Sequence, residues 1–257
     1  LIAGGVNDAV FTDVNNDQKV DLIICGDWMP ITVYLNKGNT FVNSNEKLGL
    51  TKTSGWWNCI IANDIDNDGD IDLIGGNRGT NHTITADSSH PASIYPYDFD
   101  ANGSLDPIIT YYYSDGKAYP VATKDDMQDQ MNSLKKSFVY YKEYARASIT
   151  DLFPSINFDT IPVWKAYQFE SSIFRNNGNG FTVEPLPATA QHFPINSVVL
   201  KDLNDDNQMD IIIAGNNFDI RPESGRIDAG LGLVLLSDAN NNYYPVLKQQ
   251  GGINVTG

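Results

Sequence analysis

The sequence predicts an all-β fold built from repeated four-stranded antiparallel units, and two observations carry that prediction. A nine-residue pattern with an acid or amide at its first, third, fifth and ninth places occurs four times, beginning at Asp13, Asp64, Asp98 and Asp202. Short apolar, β-branched runs flank these loops: Ala9-Val10-Phe11 enters the first and Asp21-Leu22-Ile23-Ile24 leaves it, while Asn196-Ser197-Val198-Val199-Leu200 and Asp210-Ile211-Ile212-Ile213 bracket the fourth. Such runs bounded by turn chemistry read as buried strands, so each loop joins two strands of a hairpin.

The loop chemistry points to a hard cation. Alternating oxygen side chains, a backbone carbonyl at the seventh place and a closing carboxylate suit calcium, which accepts six to eight oxygens in a forgiving geometry. The candidate ligands are Asp13, Asn15, Asp17, Lys19 and Asp21 in the first loop, and Asp64, Asp66, Asp68, Asp70 and Asp72 in the second. In the third they are Asp98, Asp100, Asn102, Ser104 and Asp106, and in the fourth Asp202, Asn204, Asp206, Gln208 and Asp210. Lys19 and its counterparts at the seventh place would serve through the main chain. An EF-hand would need a bidentate Glu at the twelfth place and flanking helices. The residues there are Ile24, Gly75, Ile109 and Ile213, none of which binds a metal. The alternative for any such loop is an ordinary polar turn, since Asp, Asn and Gly tolerate left-handed backbone and cap their own amides. The first and fourth loops carry Gln18 and Asn207 where the others have Gly, and Gln enters the left-handed region least readily, so loop one is expected to bind weakest.

Length and charge are consistent with this. The 257 residues, 41% of them apolar, can bury a substantial core. The net charge of −15 argues against a nucleic-acid partner, which needs a basic face. The four loops hold 15 of the 32 acidic residues, so the acidity mainly reflects the metal sites. No apolar run reaches the length of a membrane-spanning helix. Cys25 and Cys59 set no disulfide framework and read as small buried hydrophobes. Leu1-Ile2-Ala3-Gly4-Gly5 reads as the end of a strand, so the sequence is expected to be a piece of a longer chain.

The loop starts are separated by 51, 34 and 104 residues, a period near 50 with one short and one long unit, as in solenoids and propellers. Outer hairpins repeat as well: Val33 to Phe41 matches Ser172 to Phe181 around Asn-Gly turns. Two strands around a cation loop followed by an outer hairpin make one blade, and blades packed radially protect their edges. The predicted units are 1–52, 53–91, 92–190 and 191–257. Residues 121–165 form a helical insertion in the third, where Met127, Met131, Leu134, Phe138, Tyr141, Ala145, Ile149 and Leu152 recur at three- and four-residue steps. Thr123-Lys124-Asp125-Asp126 resembles a capping box, and one or two helices are expected.

These loops, the Gly75-Gly76-Asn77 exit and the Asn-x-Gly-Asn-Gly-Phe hairpin resemble FG-GAP or VCBS repeats, as in integrin α-subunit propellers and many bacterial surface proteins. Gly55-Trp56-Trp57-Asn58 and Asp98-Phe99-Asp100 most resemble the secreted VCBS-repeat proteins of Bacteroidetes-type bacteria. The resemblance implies a calcium-stabilised β-propeller, usually seven-bladed, acting as a binding module. About four blades of a larger ring would be present here. The expected location is extracellular or at the outer-membrane surface, with the periplasm as the alternative, and the expected partner is a glycan or a surface protein. Candidate ligand contacts are the aromatics Trp56, Tyr113, Tyr144 and Trp164 and the arginines Arg221 and Arg226. His82, His90 and His192 share no metal-ligand spacing, and no nucleophile elbow or phosphate loop is present. Binding is therefore expected over catalysis, with a calcium-dependent polysaccharide lyase or hydrolase as the alternative.

Overall fold

The computed structural model describes residues 4–217 and 229–246. It is mostly β, with four antiparallel sheets of four main strands each. The first contains β1 (Gly5–Thr12), β2 (Asp21–Met29), β3 (Thr32–Asn36) and β4 (Phe41–Asn43), plus the two-residue β5 (Gly55–Trp56) paired to the end of β2. The second contains β6 (Cys59–Asn63) and β7 (Asp72–Gly76), the third β8 (Ala92–Tyr97), β9 (Asp106–Tyr112), β10 (Ala118–Pro120) and β11 (Trp164–Ala166). The hairpin of β12 (Ser172–Asn176) and β13 (Phe181–Pro185) completes the second sheet, and β14 (Ser197–Lys201), β15 (Asp210–Ala214), β16 (Leu233–Ser237) and β17 (Tyr243–Val246) form the fourth.

The β12–β13 hairpin corrects the expected unit boundaries. It pairs with β7 through Ser172–Gly75, Ile173–Ile74 and Phe174–Leu73, so the second blade spans residues 59–76 and 172–185 and the third does not own this hairpin. Everything between forms a separate compact unit, residues 83–168, inserted within one blade. A hairpin's sequence carries no record of which preceding strand it joins, and proximity along the chain misled the assignment.

In the unit formed by residues 1–82 and 169–257, the second sheet is packed on both faces. Ile23, Cys25, Ile31, Val33 and Leu35 of the first sheet meet Trp57, Ile60, Leu73 and Phe174 on one side. Ile74 and Ile173 meet Ile195, Val198, Ile211, Ile213 and Leu235 of the fourth on the other. Glycine permits this closeness: a Cβ on Gly75 would lie 2.7 Å from the Trp57 ring, and one on Gly76 would lie 2.5 Å from the Ile195 carbonyl oxygen. Cys25 and Cys59 are buried free thiols. Trp57 is fully buried while Trp56 is half-buried, as adjacent residues near a sheet must divide.

In the inserted unit the strand order is β10-β9-β8-β11, so β11 lies beside the first strand of the loop hairpin, unlike the other three sheets. Instead of one or two helices, this unit has four short ones: α2 (Lys124–Gln130), α3 (Leu134–Ser137), α4 (Tyr141–Tyr144) and α5 (Ile149–Leu152); α1 (Asn45–Leu48) belongs to the first sheet's connection. The Thr123–Asp126 capping box is present, and a second at Ser148–Asp151 restarts the chain as a new helix. The apolar stripe packs in part: Tyr141 and Ala145 of the expected set are exposed, and Tyr144 and Ala147 are buried instead, because the chain restarts as separate short helices. Met127, Met131, Leu134, Tyr144, Ile149 and Leu152 form one core with Ile108 of β9.

Candidate metal centres

One hydrogen-bond pattern is written into all four loops. The first-place Asp accepts two backbone amides, from the fifth and sixth residues: Asp17 and Gln18 to Asp13, Asp68 and Gly69 to Asp64, Asn102 and Gly103 to Asp98, Asp206 and Asn207 to Asp202. The ninth-place Asp is buried, at 0–2% exposure in Asp21, Asp72, Asp106 and Asp210. One of its oxygens accepts the amide of the second residue: Val14, Ile65, Phe99 or Leu203.

Its other oxygen reaches beyond the loop. In three sheets it takes the backbone amide that ends the third strand, Asn36 at 2.7 Å, Asn176 at 2.7 Å and Ser237 at 2.9 Å. In the inserted unit the short β10 pairs only with residues 110–112 and stops before Asp106. The Gln130 side-chain amide of α2 takes that place at 2.8 Å.

The backbone is left-handed at two places per loop, the fourth and the sixth: Asn16 and Gln18, Asn67 and Gly69, Ala101 and Gly103, Asp205 and Asn207. Gln18 adopts φ 66° although Gln is poorly suited to it. The turn brings together places one, three and five in the second loop and places one, three and nine in the third. Carboxylate oxygens of Asp64, Asp66 and Asp68 lie within 4.8 Å of one another, as do those of Asp98, Asp100 and Asp106.

The second loop best tests whether a cation fits. Asp66 Oδ1 is buried with no hydrogen-bond partner among the described residues, a costly state for a carboxylate oxygen that a metal bond would resolve. Burial and the neighbouring Asp68 and Asp64 raise the Asp66 carboxyl, and burial raises Asp72 to about 6, with Asp66 adding to it. Both shifts come first from burial, and the converging negative charge adds to them. Arg175, which has no local signature that singles it out, offsets part of that charge with Nη1 at 3.5 Å from Asp66 and 3.6 Å from Asp72. In the first loop Lys19 Nζ stands 3.7 Å from Asp17 Oδ2. The all-oxygen donor sets of the second and third loops fit a hard divalent ion.

Loops one, two and four are tied in sequence. The Asn16 side-chain amide donates to Gly69 O and Asp70 Oδ1, and Asn67 donates to Asn207 O. Asn176 Nδ2 donates to Val14 O, joining the second sheet to the first loop.

The predicted ligand contacts do not converge on one place. Tyr113 and Tyr144 line a cavity of about 460 Å³ in the inserted unit, where Tyr113 is exposed and the Tyr144 hydroxyl donates to Ala122 O. Trp164 is half-buried on β11, and Trp56 lines a different cavity in the other unit. Arg221 and Arg226 lie outside the described residues.

Blade-like sheets with an acid-rich loop on the hairpin of each define a propeller-like repeat protein with candidate calcium sites. Residues 13–75, which span the first two loops, match the model of the FG-GAP-like repeat family. No curated protein matches the chain.

Proposed function

We propose that this protein is a calcium-stabilised propeller-type scaffold, exposed to the extracellular medium or at an outer-membrane surface, that recognises a glycan or a surface protein. The observation that supports it most is the stranded Asp66 Oδ1 inside a loop of five carboxylates, a site whose charges repel until a cation joins them. Calcium held this way contributes folding free energy directly, because the unfolded chain has no assembled site. Such a dependence suits a compartment where calcium is abundant. Among the described residues no helix is long and apolar enough to cross a membrane. Connections between the strands of packed sheets are where recognition is usually placed.

The test is a calcium titration of chelator-stripped protein, with melting followed and bound ions counted. Uptake of at least two ions with a clear rise in melting temperature is expected, and Asp66→Ala should remove one ion and part of the rise. A protein that binds no calcium would overturn the scaffold reading.

A further inference from the structure

The larger unit carries a polar cavity that the acidic loops do not use. It measures about 270 Å³ and is walled by Asp27, Trp28, Trp56, Asn58, Arg78 and Asn196, from the ends of strands in the first, second and fourth sheets. That volume is close to the lower bound for small-molecule sites.

Two of its lining residues carry unsatisfied donors. Trp56 Nε1 and Arg78 Nε are buried and have no acceptor among the described residues, a state that native structures seldom tolerate without a ligand or water. Trp56 is fixed in place: Phe169 packs on it at 4.6 Å, His82 stacks at 6.2 Å and the Arg78 guanidinium lies 5.1 Å from its ring centre. Acceptors stand opposite. Asn58 and Asn196 use their side-chain nitrogens on Ile195 O and Asn216 O, which leaves each side-chain oxygen without a donor among the described residues. Asp27 adds a carboxylate.

Trp28 supplies the independent sign of function. It sits where the pairing of β2 with β5 slips between Asp27 and Met29, and its φ is +59°. That conformation belongs to glycine, and a bulky aromatic there is a genuine outlier. Bulges and strained residues gather where a side chain must be aimed at a ligand. Trp28 makes one ring contact among the described residues, edge-on to Trp56 at 5.1 Å.

We propose that this cavity binds a single neutral sugar residue, held by Trp28 against its apolar face and by Trp56 Nε1, Arg78, Asp27 and the two Asn oxygens through its hydroxyls. Hydroxyl groups both give and accept hydrogen bonds, which matches a wall of orphan donors and free acceptors. One arginine and one aspartate leave the cavity without net charge, so an anionic ligand would meet Asp27 and a cationic one Arg78. Burial disfavours both charges, raising the Asp27 carboxyl and lowering Arg78, and sugar hydroxyls would restore the lost solvation. The proposal rests on the recognition reading above and narrows it to a glycan and a place.

The test titrates methyl glycosides of glucose, galactose, mannose and fucose into the whole protein, following tryptophan fluorescence. The same protein and two variants, Trp28→Gly and Arg78→Met, are also run against a polysaccharide panel. At least one neutral glycoside should bind saturably, and each variant should weaken binding at least tenfold. Trp28→Gly should melt no lower than the unaltered protein, because glycine relieves the backbone. Polysaccharide binding that survives both variants would overturn this site and leave glycan recognition standing elsewhere. Binding confined to uronic-acid polymers would overturn the neutral-sugar assignment. An unaltered protein that binds no saccharide would overturn the proposal and favour a protein partner.

Discussion

The ninth-place aspartates do structural work that can be separated from any metal, and Asp21→Ala is the cleanest case. Asp21 is fully buried and accepts Val14 N at 3.1 Å and Asn36 N at 2.7 Å, joining the loop to the end of β3. Alanine strands both amides, each costing about 1–3 kcal/mol when its partner is removed. Less repulsion with Asp13 and Asp17 returns on the order of 1 kcal/mol, which leaves a net loss of roughly 1–5 kcal/mol without metal. For a unit of this size each kcal/mol moves melting by about 2–4 °C, so the expected drop is about 2–20 °C in chelator. Asp21→Asn keeps one acceptor oxygen and should lose about half as much. In calcium the loss should grow, by about 2.7 kcal/mol if the ion is present at a hundredfold its Kd. Thermal melts of the three proteins in chelator and in calcium decide the matter. If Asp21→Ala melts within about 2 °C of the unaltered protein in chelator, the two amides have other partners and the argument fails.

Three further outcomes follow from the same geometry. Ala101 holds φ 59° with no side chain that helps it, so Ala101→Gly should raise stability by about 0.5–1 kcal/mol in denaturant melts; a loss would show that the loop does not need that conformation. Burial, then the charge of Arg78, lowers His82 to about 4 against an ordinary 6.5, so the unfolded chain binds more protons between those values. Stability should therefore be unaffected above about pH 6.5 and fall as pH drops toward 4, by about 2 kcal/mol at pH 5; a His82→Asn protein with the same slope would contradict this. Finally, Gly79 N donates to Phe169 O at 2.8 Å, so the chain leaves and re-enters the blade at neighbouring points. Replacing residues 83–168 with a short Gly-Ser link should leave a cooperatively melting protein, and aggregation of that variant would argue against an insertion.

Much of the loop chemistry was legible because it is local. The oxygen pattern fixes the ligand set, and the β-branched flanks fix the strands on either side. The left-handed sixth place was legible in Gly69 and Gly103, whereas the left-handed fourth place went unread, and Ala101 gives no local sign of it, since alanine carries no preference for that region. The long stripe from Met127 to Leu152 gave Met127, Met131, Leu134, Ile149 and Leu152 correctly as buried, but Tyr141 and Ala145 are exposed and Tyr144 and Ala147 are buried instead, because one continuous period does not survive where capping residues such as Ser148 restart the helix. Neither Arg175 beside Asp66 nor the left-handed Trp28 had a local signature. Each depends on a strand or bulge whose partner lies elsewhere in the chain.

The closing aspartate also reads out topology that sequence spacing cannot. In each regular blade its second oxygen finds the amide at the end of the third strand, 15 residues on from Asp21, 27 from Asp210 and 104 from Asp72. The bond is the same although the chain between differs greatly, because loop closure grows costly only slowly with length. An insertion at this connection is therefore tolerated while the blade keeps its register. In the inserted sheet the bond survives only through the Gln130 side chain, and there the strand order also departs from a blade. The aspartate keeps its partner in both cases, since a buried carboxylate oxygen requires one; whether backbone or side chain supplies it separates the regular blades from the sheet that copies only their loop.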